Sequence, residues 1–316
     1  MPASALLERP AEIAEYYSEY PRVPVPVIGP SEPAALRERY LEGVGQPVIV
    51  KGAMSEWIAS SKWSFSFFAD TYGSRRHITN SNLNSTVGWQ RLRFDDYLLY
   101  CVSPSLSPLG AKVSDKPFYS ALPVIREFPE LVADAPLARC VDNIYSKLNG
   151  PLADWYQNLF VWLFIGPSGT VTDFHVDHFM MHTYSAQLTG RKRFLFFSPA
   201  CFRHLPFDAA RKAERDSVEK PGLAYNDAVV VQEAVVGPGE MVVFPAGWGH
   251  HVVSLEPSIS LSVNFVDSSN YLEHILSISR NLPTWAKRTR WPSFVEANRC
   301  TWNASDFSWL KEGQTA

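Results

Sequence analysis

Between residues 160 and 266 apolar positions come in short runs, many alternating with polar ones, and the runs are rich in β-branched and aromatic residues. The pattern predicts strands at 160–165, 180–188, 193–197, 229–236, 240–244, 251–255 and 259–266. Gly166-Pro167-Ser168-Gly169, Gly237-Pro238-Gly239 and Pro245-Ala246-Gly247 punctuate them as turns. Strands this short and this regularly spaced predict a sandwich or barrel. The first 150 residues read instead as mixed α and β. Pro21, Pro24, Pro26 and Pro30 mark an extended lead-in, 34–43 has helical character, Pro47-Val48-Ile49-Val50-Lys51-Gly52 is a short buried strand closed by glycine, and 63–68 opens a helix after a polar cap. After Asp267 the helical period returns, and 271–278 carries one apolar face suited to the barrel or to a second subunit. The expected organisation is a mixed N-terminal region, 1–150, packing on a β core, 151–267, followed by a helical C-terminal region, 268–316.

With 316 residues, 46% of them hydrophobic, the chain has ample material for one large core. A net charge of −3 and a pI near 6.3 give no broad electrostatic reason to bind nucleic acid or an anionic membrane. The run Lys287-Arg288-Thr289-Arg290 is the local exception and reads as a solvated surface. Cys101, Cys140, Cys201 and Cys300 lie far apart without a C-x-x-C pair, so a reduced, cytoplasmic protein is expected. The first ten residues lack the basic start and apolar stretch of a signal peptide, and no segment approaches the length of a membrane helix.

Candidate chemistry centres on His175 and Asp177. They lie two apart at the start of a strand-like run, so their side chains point the same way. On its own such a pair is more often a polar surface pair or a hydrogen-bonded core histidine. His250, which follows a glycine turn and begins another strand, supplies a third ligand from a neighbouring strand, while His251 faces away. Two histidines and one carboxylate on one side of a metal leave the opposite positions open, the facial arrangement of non-haem Fe(II) oxygenases. His178 and His182 are nearby alternatives to His175, and His77, His204 and His274 read as surface or packing residues.

The stretch Phe164-Ile165-Gly166-Pro167-Ser168-Gly169-Thr170-Val171-Thr172-Asp173-Phe174-His175-Val176-Asp177 closely resembles the first motif of the JmjC, or cupin-like, 2-oxoglutarate oxygenases. Gln187-Leu188-Thr189-Gly190-Arg191-Lys192-Arg193-Phe194 resembles that family's strand bearing the cosubstrate lysine, and 236–255 resembles the segment that delivers the distal histidine. Residues 46–52 and 57–73 resemble the family's N-terminal region, so the likeness spans most of the chain and is closest to the small hydroxylase branch. The resemblance implies a mainly β fold with flanking helices, a double-stranded β-helix or jelly roll. It also implies Fe(II) on His175, Asp177 and His250, 2-oxoglutarate as cosubstrate, and O2. His250 is preferred over His251 because the frame W-x-H-x-V-x-S-L begins at Trp248. Gly249 stands where the family has a second tryptophan, which is expected to loosen the turn.

Carried over residue by residue, the resemblance puts the distal carboxylate of 2-oxoglutarate on Lys192, with hydroxyl groups from Thr172 and Tyr119. It puts Asn264 near the keto-acid end and gives Thr183 a cosubstrate contact where close relatives often carry asparagine. Arg191 and Arg193 face the other side of the strand as surface charges. Trp162, Phe164, Phe194, Phe196 and Trp248 offer a dry wall or ordinary barrel packing. The implied reaction is hydroxylation of an unactivated C–H bond on a peptide or protein side chain or an amino-acid-like small molecule. N-methyl demethylation by the same step, a non-catalytic cupin-like binding protein and a metal-dependent cupin isomerase are the alternatives. Substrate recognition falls to loops 103–115 and 207–227, and the C-terminal helices either form a homodimer or pack within the chain.

Overall fold

The computed structural model of the chain describes residues 15–79, 90–109, 117–147, 160–205 and 229–281. Fourteen strands lie among them: β1 Arg22–Pro24, β2 Val27–Ile28, β3 Val48–Lys51, β4 Arg76–Thr79, β5 Gln90–Arg93, β6 Ser120–Pro123, β7 Val161–Gly166, β8 Val171–Val176, β9 His182–Thr189, β10 Lys192–Phe197, β11 Val231–Val236, β12 Glu240–Phe244, β13 Gly249–Ser254 and β14 Ser258–Phe265. From β7 to β14 the chain crosses between two sheets at every step except β10 to β11. One sheet has the order β2-β3-β12-β9-β14-β7-β6 and the other β1-β11-β10-β13-β8, while β4 and β5 form a separate hairpin. This winding is the double-stranded β-helix of a jelly roll. The N-terminal residues do more than pack on it. They add β1 beside β11, β3 beside β12 and β6 beside β7, so both sheets are extended.

Two-residue alternation, reset where a strand bulges, decides which side chains enter the barrel. On the seven-stranded sheet, Tyr184, Ala186 and Leu188 of β9 and Ile259, Leu261, Val263 and Phe265 of β14 face outward into a core shared with the N-terminal helices. Helix Phe65–Tyr72 starts because the Ser64 hydroxyl accepts the Phe67 N–H at 3.1 Å. Its Phe68 is fully buried against Trp63, Tyr72, Phe94 and Phe128, which stabilises the fold by roughly 2–3 kcal/mol. The outer face of the five-stranded sheet buries Phe174, Val176, Leu195 and Phe197 under Tyr16, Tyr17 and Tyr20.

The opposite phase of the same strands lines the space between the sheets. Ser260, Ser262 and Asn264 of β14 enter it from one side and Lys192, His250 and Val252 from the other, beside an apolar cluster that includes Phe196, Ala234, Val242 and Phe244. Helix Tyr271–Asn281 turns one face inward, burying His274 and Ile275. Lys287 to Arg290, Cys300, loop 207–227 and part of loop 103–115 lie outside the described residues.

The expected looseness at Gly249 is not what the structure has. A Cβ on Gly249 would meet Phe174 Cζ at 2.5 Å and Phe202 Cε1 at 3.1 Å, so the Phe174 ring occupies that space. Gly249→Ala should therefore lower stability by roughly 1–3 kcal/mol in urea melts, the usual cost of overpacking. Gly237→Ala, whose nearest new contact is an ordinary 3.6 Å, should stay within about 0.5 kcal/mol of the parent.

Candidate metal centre and its cavity

His175 lies near the end of β8, and Asp177 follows the strand, the reverse of the expected placement at a strand start. Pairing with β13 puts Thr172 opposite Val252 and His175 opposite His250, leaving Asp173 and Phe174 against the single residue His251. That extra residue is a β-bulge. Residues three apart on a regular strand face opposite ways, but the bulge resets the phase, so Thr172 and His175 both face the cavity. Phe174 and Val176 turn into the outer cluster. His251 also faces outward, with its ring 4.3 Å from that of Tyr16.

Three ligand atoms converge as a result. His175 Nε2 is 3.5 Å and His250 Nε2 3.8 Å from Asp177 Oδ1, and the three groups lie within 4.8 Å of one another. One first-row ion bridges such atoms with bonds of about 2.0–2.2 Å. The Asp173 carbonyl is 2.9 Å from His175 Nδ1 and the Trp248 carbonyl 3.3 Å from His250 Nδ1. A carbonyl only accepts, so both Nδ1 atoms carry hydrogen and both Nε2 atoms present a lone pair. Asp177 Oδ2 accepts from Thr183 Oγ1 at 2.5 Å and from Asn264 Nδ2 at 2.9 Å, which directs Oδ1 toward the histidines. Burial, reinforced by the neighbouring His175, pushes His250 down to about 3. Burial would raise the Asp177 carboxyl, but positive charge at His250 and His175, with the Thr183 hydroxyl bond, outweighs it and holds the group below the usual carboxylate range. Two neutral imidazoles and one carboxylate suit a divalent cation.

Lys192 lines the same cavity of about 410 Å³, and its Nζ donates to Tyr119 Oη at 2.9 Å and Ser260 Oγ at 2.6 Å. Thr172 lines the cavity with the same tyrosine, whose phenol is pushed far up by burial. Among the described residues no carboxylate pairs with Lys192, and burial alone lowers its ammonium from 10.5 to about 7. A buried cation held by two hydroxyls and the faces of the Tyr119 and Phe164 rings is short of one anion.

The expected site residues thus fall into two groups. His175, Asp177 and His250 meet at one place, and Lys192, Tyr119 and Thr172 meet at another in the same cavity. Thr183 and Asn264, which the resemblance assigns to the cosubstrate, line the same cavity; both donate to Asp177 Oδ2, and Asn264 Nδ2 also donates to Thr183 Oγ1 at 2.7 Å. Trp162, Phe164 and Phe194 line the cavity, but Phe196 stacks behind it and Trp248 turns away, its indole donating to the Val44 carbonyl. Arg191 is an exposed partner of Glu256, whereas Arg193 is buried and pairs with Glu15 at 2.9 Å, contrary to a surface role. Ser260 and the Asp177 clamp escaped the sequence reading. The signal was the alternation Ser258-Ile259-Ser260-Leu261-Ser262-Val263-Asn264-Phe265, a strand polar on the face turned into the barrel.

A family described as the cupin-like domain matches residues 110–271. The chain is 31% identical over 175 residues to the "2-oxoglutarate and iron-dependent oxygenase JMJD4" of Gallus gallus, covering 51% of this chain and 40% of that protein. It is 25% identical over 249 residues to the "Lysine-specific demethylase JMJ21" of Arabidopsis thaliana, covering 72% of this chain and 24% of that one. With the "Arginine-specific demethylase JMJ20" of the same plant it shares 26% identity over 261 residues, 74% of this chain and 54% of the relative. The chain therefore spans roughly a quarter to a half of the length of these relatives.

Lys192 burdens the metal-free fold, because the native state binds fewer protons there than the unfolded chain. Stability should rise with pH from about 7 toward the unfolded lysine value of 10.5. In urea melts, Lys192→Met should raise the midpoint at pH 7 and flatten that rise; an unchanged slope would contradict the assignment.

Proposed function

The chain belongs to the family of cupin-like JmjC domains, and on that premise we propose that it is an Fe(II)- and 2-oxoglutarate-dependent oxygenase that hydroxylates an unactivated C–H bond. One observation carries the reading: a facial three-ligand set and a buried ammonium without a carboxylate partner among the described residues share one cavity. Bound Fe(II) supplies the activation of O2, coupled to decarboxylation of 2-oxoglutarate to succinate.

The chain's own residues do the positioning. His175 Nε2, Asp177 Oδ1 and His250 Nε2 would hold the ion, and Thr183 and Asn264 keep the carboxylate turned toward the two histidines. Lys192, with Tyr119 and Thr172, receives the distal carboxylate through a charge-assisted hydrogen bond. Phe164, Phe194 and Val252 exclude water between the two ends. Exposed His178 marks the side left for the target, a peptide or protein side chain or an amino-acid-like small molecule. Demethylation of an N-methyl group is the second reading, favoured by the names of the two plant relatives. It uses the same hydroxylation, after which the methyl carbon leaves as formaldehyde. Cys101, Cys140 and Cys201 are free and buried, which supports a reduced, cytoplasmic setting. No described helix is long and apolar enough to cross a membrane. The C-terminal helix spends its His274–Ile275 face within the chain, and 282–316, where a homodimer contact was also expected, lies outside the described residues.

Protein loaded with Fe(II) under nitrogen and then given 2-oxoglutarate and O2 should form succinate slowly even without a substrate. His175→Ala and Asp177→Ala should reduce this to background, while Lys192→Ala should raise the KM for 2-oxoglutarate by about 10-fold or more, the loss of one charged hydrogen bond. Succinate formation that survives His175→Ala contradicts the reading. Formaldehyde release on methylated peptides separates the second reading from the first.

A further inference from the structure

The turn that follows Asp177 adopts a backbone that ordinary side chains avoid. Phe179 has φ 62° and Met180 φ 51°, two consecutive left-handed residues, neither of them glycine. Such a conformation persists only where surrounding contacts over-determine it, and it clusters at functional sites. Both carbonyls of the turn are gripped from the C-terminal side of the barrel. His274 Nδ1 donates to Phe179 O at 2.6 Å, and its Nε2 therefore accepts from the Tyr145 hydroxyl at 2.7 Å. Asn270 Nδ2 donates to Met180 O at 2.9 Å.

From Asn270 a hydrogen-bond chain, buried except at the half-buried Ser269, runs on to the other ligand turn. Asn270 Oδ1 accepts the Asp267 N–H at 3.0 Å, and Asp267 Oδ1 accepts the Ser269 hydroxyl at 2.6 Å. Ser269 Oγ in turn lies 3.0 Å from His182 Nε2. The Ala246 N–H donates to His182 Nδ1 at 2.9 Å, so Nε2 carries the imidazole hydrogen and donates to Ser269. Ala246 belongs to the Pro245-Ala246-Gly247 turn that leads into Trp248 and His250. His182, Asp267 and Asn270 are each at least 97% buried. Ser269, His182 and Asp267 have the composition of a hydrolytic triad but not its wiring, since the serine hydrogen goes to the aspartate and the imidazole is the donor.

We propose that this hub, His182–Ser269–Asp267–Asn270, is a positioning device that sets Asp177 and His250 at one fixed separation. Metal affinity then depends on side chains that touch neither the ion nor either substrate. The inference rests on the reading of His175, Asp177 and His250 as metal ligands. His182 ties down the turn before His250, Asn270 ties down the turn after Asp177, and cutting either end lets the two ligands drift apart.

The test is a Co(II) titration of the metal-free full chain followed by visible absorption, which reports both affinity and coordination geometry, with thermal unfolding of the same protein as a separate check on the fold. His182→Leu and Asn270→Ala should each weaken Co(II) binding about 10-fold or more and alter the absorption bands, as loss of outer-shell support does. His182→Asn, whose amide oxygen can still accept from the Ala246 N–H, should recover most of the affinity. The double variant should be no weaker than the worse single one, because both cut the same chain. Affinity within about 2-fold of the parent in cooperatively unfolding single variants, or fully additive losses in the double, overturns the proposal. If His182→Leu does not fold, His182→Asn and Asn270→Ala decide. A parent chain that takes up no Co(II) overturns the metal-site reading instead.

Discussion

The phase of one edge strand governs this site. A pleated strand sends alternate residues to opposite faces, so β8 can serve an inner site and an outer core only if its alternation is timed correctly. The bulge of Asp173 and Phe174 opposite His251 provides that timing. Thr172 stays inside beside Tyr119, His175 comes inside beside His250, and Phe174 goes outside to fill the space that Gly249 leaves. Shifting that phase by one residue would exchange ligands for core, losing both together.

A second constraint follows from filling a barrel interior with polar groups. The seven-stranded sheet keeps its apolar phase for the N-terminal helices and gives Ser260, Ser262 and Asn264 to the inside. Most of these groups answer one another: Asn264 and Thr183 hold Asp177, and Ser260 accepts from Lys192. Lys192, among the described residues, has hydroxyl partners but no carboxylate, and a depressed pKa. A folded chain retains such a group when a ligand of opposite charge completes it, and the stability lost without the ligand returns on binding.

Much of the architecture was readable because the strands are short, β-branched and separated by glycine turns, and because His250 follows such a turn directly. The likeness around 164–177 and 236–255 singles out His175, Asp177 and His250, which the fold brings within 4.8 Å of one another. What escaped depends on non-local geometry. A bulge is defined by the partner strand, so nothing within Thr172-Asp173-Phe174-His175 announces it. The tie from His182 to Ala246 spans 64 residues, and the Glu15 partner that buries Arg193 lies 178 residues away. Gly249 was misjudged for the same reason: whether a glycine is slack depends on what fills its missing Cβ, here a ring from β8.

On the proposed reading, Lys192 is completed by the far carboxylate of a metal-bound keto acid. Calorimetric titration of 2-oxoglutarate into the Mn(II)-loaded protein, repeated across pH 7 to 9 in buffers of different ionisation enthalpy, tests it most directly. A lysine that is half neutral near pH 7 and recharged by its ligand requires close to one proton taken up per ligand at the alkaline end, with affinity falling toward tenfold per pH unit. Binding with no proton uptake and no loss of affinity over that range would contradict the account.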